Sequence, residues 1–308
     1  MHADEVFSDV HLVRGLVAEQ FPRWAGLAVE RVPSSGTENA MYRLGAELAV
    51  RLPRRPSAVG SIGLEVEWLP VLASAVPVGV PVPVAVGEPG LGFPFPWSVC
   101  RWVDGANPRV EAVPGGLGRE VAGGVAALRR VDVAGAPKSY RGEALTSRDR
   151  RMREVIAGLG GVLDVDAVTK AWAADVNEYA GAPVWVHGDL SPGNVLIRDG
   201  RLAGVIDFGC MGLGDPAVDL IIAWNLLGER ESFREALGVD DAMWARGRAW
   251  ALSIAIMQLS YYTWENNPGL VANSHHVVRQ VLDSHGLEPG PVVGVPGAEG
   301  VGGPGGRE

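Results

Sequence analysis

A chain of 308 residues, 47% hydrophobic and 20% charged, is long enough for two lobes around a large buried core, which excludes disorder of the whole. Its formal net charge of −9 argues against general nucleic-acid binding, which relies on Lys and Arg to neutralise phosphates, and leaves room for a cationic ligand. Asp4, Glu5 and Asp9 near the start, without a basic segment or a continuous apolar run, predict no signal peptide and a cytoplasmic location.

In chain order, a helix is expected over residues 6–20, followed by short β-type runs at 28–32, 41–44 and 47–52 that suggest a small antiparallel sheet. Ile62, Val66, Leu69 and Leu72 recur at three and four residues, which predicts a helix over 62–75 that also carries Glu65 and Glu67. Residues 76–92 alternate Val with Pro so densely that the segment must be extended, on an edge or as polyproline II, and it reads as a connection. A further β run at 97–103 ends in the turn dipeptide Asp104-Gly105, where the lobe boundary is placed. The expected division is 1–103, 104–287 and a Gly- and Pro-rich disordered tail at 288–308. Beyond the boundary the chain reads as mainly helical, apart from one hairpin. Its most apolar stretch, 249–264, is interrupted by Ser253, Gln258 and Ser260 and falls short of the ~20 residues a bilayer span requires, so it reads as a buried helix and no membrane partner is expected. Cys100 and Cys210 are expected to be free buried thiols, with no spacing that suggests a metal site.

The chemistry concentrates in residues 184–224. Apolar β runs at 195–197 and 202–206 flank Asp199-Gly200, a two-residue hairpin signal. Residues just before the first strand and just after the second then emerge at the same end, which brings Asp189 and Asn194 close to Asp207. Carboxylate and amide oxygens gathered there suit a hard cation such as Mg²⁺, which takes one or two carboxylates together with substrate phosphates. A phosphoryl-transfer site follows; the bland alternative, aspartates that only cap turns, would have to hold for all three at once.

The run His187-Gly188-Asp189-Leu190-Ser191-Pro192-Gly193-Asn194 resembles the kinase H-x-D-x-x-x-x-N loop, and Asp207-Phe208-Gly209 matches D-F-G. Gly188, together with the Gly-Asp-Pro-Ala-x-Asp-Leu run at 214–220, makes the chain similar to the aminoglycoside phosphotransferase family of protein-kinase-like small-molecule kinases. The resemblance extends over about 34–285. It implies an α+β, bilobal, protein-kinase-like fold with a small antiparallel-sheet N-lobe and a mainly helical C-lobe. It also implies that Asp189 accepts or orients the substrate hydroxyl, while Asn194 and Asp207 hold Mg²⁺ on the phosphates of ATP or GTP. His187 is expected to pack and hydrogen-bond, Asp219 to fix the catalytic loop, and Asp215-Pro216 to start a helix.

For the nucleotide lobe the resemblance implies a phosphate-covering turn at Ser35, Gly36 and Thr37, with Gly36 as its one glycine. Where kinases have a strand lysine this chain has Arg51, since Lys138 and Lys170 are its only lysines and neither fits. Its partner would be Glu65, with Glu67 the alternative, because two such positions on a helix cannot both face one strand. Cys100 and Trp102 fall in the segment that resembles the interlobe hinge; Trp102 would stack on the base or fill the lobe interface. Asp215 comes only eight positions after Asp207 and no A-P-E follows, which leaves no room for a peptide-binding loop. The expected substrate is therefore a compact hydroxylated molecule, an aminoglycoside or other antibiotic first, with homoserine, choline or a sugar as alternatives. A non-catalytic nucleotide-binding protein is the competing class, motivated by the weak glycine loop and Arg51.

Overall fold

The structure, a computed structural model, describes residues 5–33 and 38–288. The expected phosphate turn at Ser35, Gly36 and Thr37 and the tail beyond residue 288 lie outside the described residues.

The chain opens with α1 (Val10–Gln20), which starts later than the apolar pattern suggested because the Asp9 side chain accepts from the Leu12 N–H at 2.8 Å and caps it there. Next come β1 (Val29–Arg31), β2 (Asn39–Leu44) and β3 (Leu48–Pro53), then α2 (Gly60–Ala75), β4 (Pro83–Gly87) and β5 (Trp97–Arg101). The five strands form one antiparallel sheet in the order β1-β2-β3-β5-β4. The Val-Pro segment is thus more than a connection. Pro83 sits in the edge strand, where a missing N–H is tolerated, beside an irregularity at Pro83/Ala85.

Side chains alternate across β3. Val50 and Leu52 join Val13, Leu16, Tyr42, Trp97 and Val99 in a core between the sheet and α1, while Arg51 faces the opposite side. The segment 56–75 is long and apolar enough to cross a membrane by length and composition. In this fold it lies beside the sheet and buries Ile62, Glu65, Leu69 and Leu72 along one stripe.

After α3 (Leu117–Leu128), α4 (Asp149–Gly158) and α5 (Val165–Asp175) come β6 (Val184–Val186), β7 (Val195–Arg198), β8 (Arg201–Val205) and β9 (Gly212–Gly214). The expected hairpin is β7–β8. A second antiparallel pair, β6–β9, escaped the sequence because each strand has three residues and β9 is Gly-Leu-Gly. A 3₁₀ segment, Pro216–Ile221, is capped by Asp215, whose side chain accepts from the Ala217 N–H. It leads into α6 (Ile222–Asn225), α7 (Arg230–Leu237), α8 (Asp241–Leu259) and α9 (Pro268–Ser284).

α8 is the central post of the helical part, with Trp250, Leu252 and Ile256 fully buried against neighbouring helices. Side chains of that size contribute roughly 1.5–3 kcal/mol each when removed from water. A third cluster joins Leu69 and Leu72 of α2 to Leu128, Trp185, Phe208 and Met211, so the sheet's flanking helix is packed onto the hairpin region that carries the chemistry.

Candidate active site

Asp199 (φ 53) and Gly200 (φ 74) both occupy the left-handed region, as a type I′ hairpin turn requires. Both hairpin edges are covered: Ala106 exchanges two backbone bonds with Ile197 (2.9 and 2.8 Å), and Gly79 does the same with Ala203 and Val205 (2.9 and 3.0 Å). The Ile206 N–H donates to Asn194 O at 2.9 Å, which extends the pairing and sets Asn194 beside the entry to Asp207. Asp207 itself has φ 61, a conformation Asp tolerates better than most side chains, and its carboxylate is about half exposed.

The loop before β7 is held from below. Asp219 is fully buried and accepts from the backbone N–H groups of His187 (3.0 Å) and Gly188 (2.8 Å), the loop-fixing role expected of it. Burial pushes the Asp219 carboxyl up, while His187, those two donors and Arg129 pull the other way. His187 Nδ1 accepts from the Asp189 N–H at 3.1 Å, which assigns the proton to Nε2, 3.0 Å from Ile206 O. Its ring also packs on Phe208 with centroids 4.6 Å apart. Gly188 has φ +79, and a Cβ there would stand 2.7 Å from Cys210 O, so the H-G-D spelling has a steric cause.

Asn194 Nδ2 donates to Asp189 O at 2.8 Å and lies 3.4 Å from Asp189 Oδ2, which leaves Asn194 Oδ1 as the acceptor of that amide. That oxygen and the Asp207 carboxylate form an all-oxygen set with one charge, which fits Mg²⁺ arriving on nucleotide phosphates. Among the described residues no group of three His, Cys, Asp or Glu could hold a metal ion by itself.

From the sheet side, Arg51 pairs with Glu65 through Nη1, and its Nη2 reaches Asp207 Oδ1 at 3.7 Å and Ser61 Oγ at 3.4 Å. Burial works against the Arg51 charge, but Glu65 and Asp207 more than offset it and the guanidinium stays protonated. Burial also favours a neutral Glu65; with a permanent guanidinium bonded to it, the ionised form is the one the geometry supports. The sequence left Glu65 and Glu67 open, and the structure selects Glu65: it shares the buried stripe of α2, whereas Glu67 is exposed.

Among the described residues, two further expected ones make no hydrogen bond to this convergence. Cys100 is inside β5, paired with Ala49 and Pro83. The Trp102 N–H donates to Glu47 O at 2.8 Å; its half-exposed indole donates to Asp104 Oδ1 and carries the Arg43 guanidinium 4.7 Å above the ring.

Sequence reasoning missed two residues. Asn107 Nδ2 stands 3.2, 2.8 and 2.9 Å from the carbonyls of Pro192, Gly193 and Val195 and pins the loop. Arg141 Nη1 donates to Gly188 O at 2.5 Å and Asp189 Oδ1 at 2.6 Å. Neither lies in a motif, so only the tertiary structure reveals them. The segment that carries Arg141 also borders an open cleft of about 370 Å³, lined by Lys138, Ser139, Tyr140, Gly142, Glu143 and Arg148 and not by Arg141 itself.

A model of the phosphotransferase enzyme family, APH, matches residues 29–250. An aminoglycoside 3'-phosphotransferase of Escherichia coli is 38% identical over 90 residues, 26% of this chain and 33% of that protein. A homoserine kinase of Granulibacter bethesdensis is 42% identical over 77 residues, 24% of this chain and 23% of that protein. These alignments thus take in a third or less of the curated relatives' length. The solved GDP and kanamycin complex of APH(2")-IIia superposes with a TM-score of 0.73 at 20% identity, covering 90% of this chain and 99% of that one, a likeness of fold.

Proposed function

This chain belongs to the APH family of phosphotransferase enzymes, and from that premise we propose that it moves the γ-phosphate of ATP or GTP onto a hydroxyl of a small molecule. One observation carries the reading: Asp189, Asn194 and Asp207 meet at one end of a hairpin, and Arg51 reaches the same Asp207 from the sheet. In this reading residues 1–103 hold the nucleotide and 104–287 the acceptor, in a cytoplasmic enzyme. Asp189 orients the acceptor hydroxyl and receives its proton; Asn194 and Asp207 hold Mg²⁺, which when bound neutralises charge on the phosphates. Arg51, braced by Glu65, contacts those phosphates, and Ser35, Gly36 and Thr37 cover them. The base lies along the segment from Cys100 to Trp102, where the N–H groups of Arg101 and Trp102 are already bonded to Val82 O and Glu47 O.

Two acceptor classes follow from different observations. An aminoglycoside is supported by the Escherichia coli relative and by the acidic balance of the chain. A hydroxylated metabolite with a carboxylate, such as homoserine, is supported by the Granulibacter bethesdensis relative and by the charge of the cleft bordered by the Arg141 segment. The cleft's one carboxylate, Glu143, is already paired with Arg148 at 2.6 Å, and Lys138 makes no ion pair among the described residues.

The test is nucleotide consumption with Mg²⁺ across kanamycin, a macrolide, homoserine and choline, with Asp189→Ala as the blank. Turnover should fall on the order of 10²–10⁴-fold in the variant while Mg-nucleotide still binds. Unchanged turnover in Asp189→Ala would sink the assignment, and failure of the wild-type protein to bind Mg-nucleotide would sink the whole reading.

A further inference from the structure

Arg141 enters the site from the segment between α3 and α4, which is fastened to the stretch following Asp207. Ser139 Oγ donates to Cys210 O at 2.6 Å and accepts from the Arg141 N–H at 3.1 Å, and the Ser139 N–H donates to Leu213 O at 3.0 Å. The guanidinium is largely buried; Asp189 outweighs the burial and keeps it charged. A buried charge is retained only with well-placed partners, and here both partners belong to the catalytic loop.

How the pair is made distinguishes it from the Arg248–Asp175 pair. Arg248 forks onto both oxygens of Asp175 (2.9 and 2.7 Å) and His285 Nε2 adds a third contact at 2.8 Å, which uses that carboxylate up in holding α5, α8 and α9 together. Arg141 instead puts one nitrogen on Asp189 Oδ1 and the adjacent Gly188 carbonyl and leaves Oδ2 alone. Oδ2 has only the long 3.4 Å approach of Asn194 Nδ2, whose better bond goes to Asp189 O. One oxygen is capped and the other keeps its acceptor capacity, on the side of the residue read above as a metal ligand.

Resting on the functional reading above, we propose that Arg141 is a positioning residue for Asp189: it caps Oδ1, locks the carboxylate rotamer to the loop backbone, and leaves Oδ2 as the oxygen that receives the acceptor hydroxyl. Without it the carboxylate can rotate and present either oxygen, and misalignment of reacting groups is costly.

The test is steady-state kinetics of Arg141→Gln and Arg141→Lys with the best acceptor of the panel or, failing one, with water, alongside Mg-nucleotide titration. Arg141→Gln should lose kcat on the order of 10²-fold with nucleotide affinity and acceptor KM unchanged. Arg141→Lys should regain part of it, since an ammonium can reach Oδ1 without spanning to the Gly188 carbonyl. In an Asp189→Ala background Arg141→Gln should cost nothing further, a non-additivity that a merely structural role would not produce. The proposal is overturned by an unchanged kcat in Arg141→Gln, or by additive losses in the double variant. A wild-type protein that consumes no nucleotide with any acceptor or with water sinks the functional reading and this proposal with it; an active wild type matched by Arg141→Gln sinks only this one.

Discussion

Asp189 and Asn194 are five residues apart, and the carboxylate beneath their loop, Asp219, is 31 residues from Gly188. Arg51 meets its partners differently, across β3, α2 and the far side of the hairpin. In the loop, position is set mostly by backbone bonds, two N–H groups on Asp219, one on His187, and the carbonyls on Asn107, with the Arg141–Asp189 pair added at the catalytic side chain. In the β3–α2 region it is set by one buried ion pair. The difference teaches that function and stability should separate in the first region and stay coupled in the second. A side chain at the loop's end can be changed while its scaffold stands, whereas an ion pair deprived of one member leaves a buried charge.

The largest expected effect breaks the site without touching the scaffold. Asp207→Asn keeps the size and the half-exposed position of the side chain but removes the charge of the proposed metal set. Turnover should fall on the order of 10²–10³-fold while the thermal midpoint stays near wild type. A midpoint drop as large as that of a core variant would erase the distinction between the two regions.

Arg51→Ala is the opposite case. It strands Glu65 in the sheet–helix interface, and the loss should be about 3–5 kcal/mol in a denaturant titration, with weaker Mg-nucleotide binding alongside. Adding Glu65→Ala should return part of the stability and none of the binding. Recovery of both would mean that Arg51 acts only as a brace.

The same contrast explains what could be read from the sequence. The loop, the D-F-G run and the hairpin were legible because their geometry is local: Asp-Gly dictates the turn, and the turn dictates which residues share an end. Arg51 and Glu65 were legible only through the family resemblance, which implies a strand cation paired with a helix carboxylate; helix periodicity then allowed one of Glu65 and Glu67 to face the strand. Arg141 and Asn107 were not. They sit in irregular segments, 48 residues from Asp189 and 88 from Val195, with no pattern that a packed fold would impose. The β6–β9 pair was hidden for a related reason: three-residue strands, one of them two-thirds glycine, carry too little alternation to register.

The two thiols supply the smallest effect and a probe of each region. Cys100 lies in β5 near Arg51 and Glu65, and Cys210 lies near Arg141 and Asp189. Burial pushes both thiols up to about 12, the neighbouring arginines opposing it without prevailing. The thiolate is the nucleophile, so at pH 8 the reactive fraction of either is minute, and both should resist iodoacetamide until the pH climbs toward 12 or the chain unfolds. Cys210 is the less buried, so mass spectrometry of a time course should find it alkylated before Cys100. Arg141→Gln should leave the order unchanged, whereas Arg51→Ala should raise the Cys100 rate by opening the sheet–helix interface more often. If Cys100 modified as slowly in Arg51→Ala as in the wild type, the ion pair would not be what holds that interface closed.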